Sequence, residues 1–211
     1  MKKLMMVAMA VIVAIGALAQ PKTSDKSIWK QSKKIAKELQ KQGWKIDGSK
    51  TMEEAFFYHK QKLLDENNQE LIANVVGQTN VRTLNQAQRW AIVNAATSYA
   101  TQAKTMIVGR ITSEVGGALM QDMGSPDDFY AAYENRVATE LQGELKPSIC
   151  IYREKKDGGL DYKIYYLVNE ESASKARMRA MERAIQESEF ARANAERISE
   201  FVREGFKVTA E

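Results

Sequence analysis

The chain carries one cysteine and one histidine in 211 residues, Cys150 and His59. A single cysteine excludes an intramolecular disulfide, so stability has to come from packing. One of each also leaves too few ligands for a zinc site built from His and Cys. No His-Glu-x-x-His helix, Gly-x-Ser-x-Gly turn, Gly-Lys-Ser/Thr phosphate loop or Cys-x-x-Cys pair occurs. Charge of one sign is lacking as well. The 31 Lys and Arg side chains include Lys2 and Lys3, and without these two the balance is 29 basic against 27 acidic, alternating in sign along the chain. Nucleic-acid binding needs a concentrated basic footprint, so no such partner is expected.

The sequence is informative at its start. Met1-Lys2-Lys3 is a basic head, Leu4 to Gly16 is apolar apart from small residues, and Ala17-Leu18-Ala19 is a small-x-small cleavage signal. The run is short for a span of about 20 residues and no stop-transfer segment follows, so no membrane span is expected. This pattern predicts a secretory signal peptide over 1–19, cleaved after Ala19, and a periplasmic or envelope-associated product. Gln20 follows the cleavage site, where a lipid anchor would need cysteine. The expected organisation is a flexible segment over 20–26 and one domain over 27–211.

Helical spacing of Ile28, Trp29, Ile35, Ala36 and Leu39 predicts a first helix ending at Gly43. Lys30, Lys33, Lys34, Lys37 and Lys41 make it basic. That face reads first as solvation, with peripheral contact to anionic lipid headgroups as the alternative. Trp44-Lys45-Ile46 alternates as a short strand. Thr51 with Glu54 forms a capping box for a second helix that runs to Asn67-Asn68, with His59 near its buried side. Leu71 to Val81 reads as a strand in which Gly77 marks a bulge or a close backbone approach. Thr83 and Gln86 open a long helix to about Val115, punctuated by Gly116-Gly117. Its row Ala87, Ala91, Ala95, Tyr99, Ala103, Ile107 and Ile111 winds round the surface, with Trp90 expected in the core beside it.

Ser125-Pro126-Asp127-Asp128 signposts another helix, with Ser125 as cap and Pro126 at the first helical position. Pro147 to Arg153 and Leu160 to Val168 follow as a strand pair apolar on both faces, covered by helices of the chain or by a second copy. Cys150 is expected to be shielded there. Ser172 or Ser174 is expected to start one last helix over about 172–204. The fold class is therefore α+β: a small, mostly antiparallel sheet packed against several helices, with a long central and a long C-terminal helix.

The Gly43 to Ile46 strand, the Gly77 strand, the Ala87/Ala91/Ala95 helix and the Ile149 to Val168 hairpin followed by a helix resemble the small twenty-kilodalton envelope lipoprotein family. The resemblance implies an α+β envelope protein with a packing or assembly role and no catalytic residues, although Gln20 stands where the lipidated cysteine would be.

No catalytic, metal or cofactor residues are assigned. The leading expectation is a non-enzymatic binding or assembly protein whose partner is another protein or a second copy; the stripe of Met178, Met181, Ile185, Ile198 and Val202 either self-associates or docks in a shallow groove of its own domain. A cell-wall or glycan module using Tyr162, Tyr165 and Tyr166, and an exported hydrolase, are the alternatives.

Overall fold

The computed structural model describes residues 24–64, 71–122 and 126–204. The signal segment expected over 1–19, Gln20, Asn67-Asn68 and Ser125 lie outside them. Ser24 caps the first helix, α1 (Asp25–Lys41), so Asp25 and Lys26 are helical and not part of a flexible lead-in. A glycine ends it. Gly43 has φ +83°, and the N–H groups of Gly43 and Trp44 donate to Gln40 and Leu39 at 3.0 Å each, which satisfies the last carbonyls of the helix. After β1 (Lys45–Ile46), the expected capping box closes at the head of α2 (Met52–Leu64): the Thr51 N–H donates to Glu54 at 2.9 Å and the Glu54 N–H to the Thr51 hydroxyl at 3.3 Å.

β2 (Leu71–Val81), α3 (Leu84–Asp122), α4 (Asp127–Leu141), β3 (Lys146–Glu154), β4 (Leu160–Asn169), α5 (Glu170–Gln186), α6 (Glu189–Ala193) and α7 (Ala195–Glu204) complete the described chain. The four strands form one sheet in the order β1-β3-β4-β2, and every neighbouring pair is antiparallel. Strand periodicity then sorts the side chains between two layers. Tyr162, Ile164, Tyr166 and Val168 join the core built on α3, α4, α5 and α7, while Ile149, Ile151 and Tyr165 pack with Ala36, Trp44, Met52 and Phe56 from the α1–α2 side. The hairpin is covered on both faces by helices of its own chain.

At 39 residues α3 is about 58 Å long, against about 36 Å for the 11 residues of β2, so it outruns the sheet. Gly116-Gly117 does not stop it, and Pro126 sits at the N-cap of α4, one position before its first helical residue. α3 also packs against α4 and α7, and α5 lies on α4. Lys104 pairs with Glu134 of α4 at 2.5 Å, and the guanidinium of Arg177 on α5, only 2% exposed, donates to the Tyr99 hydroxyl and to Glu170 at 2.5 Å.

The expected C-terminal helix is three helices. α5 begins after Asn169, whose side chain accepts from the Ser172 N–H at 2.7 Å, so neither Ser172 nor Ser174 is its cap. It ends at Gln186, and the Ser188 hydroxyl, accepting from Ala191 N–H at 3.3 Å, starts α6. α7 then packs back against α5. A hydroxyl-capped turn replaces about one helical turn, which neither glycine nor proline announced.

Candidate functional site

Tyr162 and Tyr166 are buried under α3, and Tyr165 lies on the opposite face, edge-on to Phe56 with ring centroids 5.2 Å apart. The three tyrosines therefore form no exposed strip. Burial raises the hydroxyl pKa of Tyr165 and of Tyr166 to about 12 each. Burial also pushes Tyr162 well above the ordinary phenol range, helped by its hydrogen bond to Asp47.

Met181, Ile185, Ile198 and Val202 are likewise buried, and Met178 packs partly buried against the same core. The stripe is used inside the chain, because α7 turns back and covers α5. An exposed self-association surface on these five residues does not exist in the fold.

The lone histidine and cysteine have structural surroundings. His59 is buried, with Nδ1 3.0 Å from the Ser148 hydroxyl and its ring against Tyr165. Cys150 is half-buried on the α3 side of the sheet; burial pushes its thiol pKa up, with the nearby Tyr162 hydroxyl acting in the opposite direction. That is the reverse of what an activated nucleophile needs. Glu53, Glu54, Asp127 and Asp128 stand in helix first turns, as their spacing suggested. No group of three His, Cys, Asp or Glu side chains able to hold a metal occurs among the described residues.

Two features do face solvent. The first is the outer side of α1. Ile28, Ser32 and Ala36 are its buried positions, and at about 100° per residue Lys26, Lys30, Lys33, Lys34, Lys37 and Lys41 all fall within an arc of about 100° on the opposite side. Asp25 and Glu38 lie outside that arc. All six lysines are exposed, and none is ion-paired among the described residues. Aromatic side chains border them: Trp29 stands edge-on to Phe57 at 5.2 Å with the Lys33 ammonium 5.4 Å from its ring, and Tyr58 on α2 is exposed beneath the Lys50 ammonium at 4.2 Å.

The second is on α3, where Trp90 is 59% exposed and Val93 and Leu84 are also open. Trp90 was expected in the core, and the winding of the buried row explains its exposure. In the first half of α3 the sheet-facing residues are Ala87, Ala91 and Ala95, and Trp90 leaves the helix about 100° from Ala91. The same wheel, drawn for the first half of α3 alone, was the signal that would have found it.

No protein-family model, curated protein or solved structure matches the chain. Among the described residues no helix is long and apolar enough to cross a membrane. The resemblance to the envelope lipoproteins rests on the sequence elements that suggested it.

Proposed function

We propose that this is an exported, envelope-associated protein with a binding rather than a catalytic role, and that α1 is the surface by which it rests on an anionic lipid membrane. The observation that carries this reading is the segregation of six exposed lysines onto one side of one helix, with both acids of that helix off the arc. Solvation alone does not demand such sorting, because mixed charges solvate a helix equally well. The lysines span 16 residues, or about 24 Å of helix, a length matched to a flat surface rather than to a small ligand. Near an anionic bilayer each contributes about 1 kcal/mol, and exposed Tyr58 beside half-buried Trp29 offers the aromatic rings favoured at headgroup depth. The glycan-binding reading depended on a tyrosine strip that is buried, and it is not carried forward.

Sedimentation with vesicles tests this. The protein without its signal segment should bind vesicles containing phosphatidylglycerol and not pure phosphatidylcholine, and rising salt should release it. Replacing Lys30, Lys34 and Lys37 together by Glu should weaken binding by roughly two orders of magnitude or more. Equal binding to both vesicle types, or an unaffected triple variant, would refute the proposal.

A further inference from the structure

The geometry points to a second interaction surface: the free edge of β2, which pairs with the same edge of a second copy to make one continuous eight-stranded sheet. Among the described residues β2 is the outermost strand on its side, joined only to β4. Among the described residues no backbone hydrogen bond from outside the ladder reaches Leu71 to Val81. Every second residue of β2 therefore turns its N–H and C=O away from β4, and among the described residues no backbone group pairs with them. Edge strands are normally guarded by a charge, a proline, a bulge or extreme shortness. Past the one register shift at Leu71/Ala73, β2 has none of these: its sequence, LIANVVGQTNV, contains no Lys, Arg, Asp, Glu or Pro.

The opposite edge shows what guarding looks like in this molecule. β1 is two residues long and carries Lys45, which is exposed and ion-paired to Glu154 at 2.9 Å. One edge of the sheet is closed to further strands and the other is open. This asymmetry selects a closed pair over a fibre, because after two β2 strands meet only β1 edges remain outside.

α3 supplies an independent observation. Ala91 faces Gly77 on β2, and Gln88 lies on the side of α3 toward the Tyr162 hydroxyl on β4. At about 100° per residue, Gln88 leaves the helix about 60° to one side of Ala91 and Trp90 about 100° to the other. Trp90, the most exposed large apolar side chain among the described residues, thus lies on the flank of α3 that overhangs the free edge. Open backbone and exposed indole belong to one surface.

The occupant is a second copy because the strand suits itself. A twofold axis perpendicular to the sheet joins two β2 strands antiparallel over the regular stretch that follows the register shift at Leu71/Ala73, with Ala73 opposite Val81, and no like charges face one another. The same axis keeps equivalent faces on the same side, so the two α1 lysine arcs point one way and engage one membrane together. The pairing itself does not rest on the lipid-binding reading, and its test contains no lipid.

Light scattering and sedimentation velocity on the protein without its signal segment should give twice the chain mass at micromolar concentration. The double variant Trp90→Lys with Asn80→Lys places a charge at each of two exposed positions of this surface and should sediment as a folded monomer by circular dichroism. Ala131→Lys, at an exposed position of α4, should remain a dimer. In the wild type, hydrogen exchange should show both inward and outward amides of β2 protected, whereas an unpaired edge protects only those bonded to β4. A wild type that is monomeric up to high micromolar concentration overturns the proposal. A dimer whose outward β2 amides exchange freely overturns it too, and that reading holds even if the double variant fails to fold.

Discussion

Gly77 of β2 lies directly against the backbone of Ala91 on α3. A Cβ at position 77 would fall 2.6 Å from the carbonyl carbon of Ala91 and closer still to its oxygen. Real Cβ atoms do not approach carbonyl carbon so closely, and the obstacle is helix backbone, which cannot rotate aside. The missing side chain on the strand and the alanine on the helix are one feature. Together they let α3 settle onto the sheet and fix where the helix crosses it.

Gly77→Ala should therefore force α3 off β2 and cost about 3 kcal/mol or more of stability. Urea unfolding followed by circular dichroism measures it. Gly109→Ala is the matched control, since that glycine lies within the same helix and a methyl group added there would meet nothing within 4 Å. It should stabilise by about 0.5–1 kcal/mol.

Cys150 should react slowly with iodoacetamide in the native protein and quickly in urea, because burial raises its thiol pKa. Equal rates in the two states would contradict the packing described. A serine at 150 finds the Tyr162 hydroxyl beside it, so Cys150→Ser should cost less than about 1 kcal/mol, not the roughly 1–3 kcal/mol of a hydroxyl buried without a partner.

Glu134 links acid stability to the α3–α4 contact. Hydrogen bonds from Lys104 at 2.5 Å and Thr101 at 2.6 Å hold its carboxyl below the usual carboxylate range. A carboxylate whose folded pKa is lowered lends stability that is present above its unfolded value, near about 4.3, and lost as pH falls through the folded value. Between about pH 5 and pH 3 the wild type should lose more stability than Glu134→Gln. Parallel curves would show that the pair contributes nothing.

Much of this fold was legible where local chemistry and packing agree. The Leu71 to Val81 strand was read to the residue, and of the two readings of Gly77, a bulge or a close backbone approach, the structure shows the second, against Ala91. The break after Gln186 was hidden because its signal is a single hydroxyl, that of Ser188, inside a stretch otherwise suited to helix. Gly116-Gly117 misled in the opposite direction. Glycine costs a helix about 1 kcal/mol per residue, and a helix of 39 residues absorbs that. The tyrosines were misplaced because alternation along β4 sends Tyr165 away from Tyr162 and Tyr166, and helices then cover both faces. The lysine arc needed only the wheel of α1, but solvation and binding write the same residues there, and only their confinement to one side separates the two.

The most direct test of the account is fractionation of the cells that make this protein, followed by intact mass measurement. The account predicts a chain beginning at Gln20, with or without cyclisation, that sediments with membranes at low salt and is released by high salt without detergent. A chain that keeps Met1 and stays with the cytoplasmic fraction, or one that carries lipid and needs detergent for release, would contradict it.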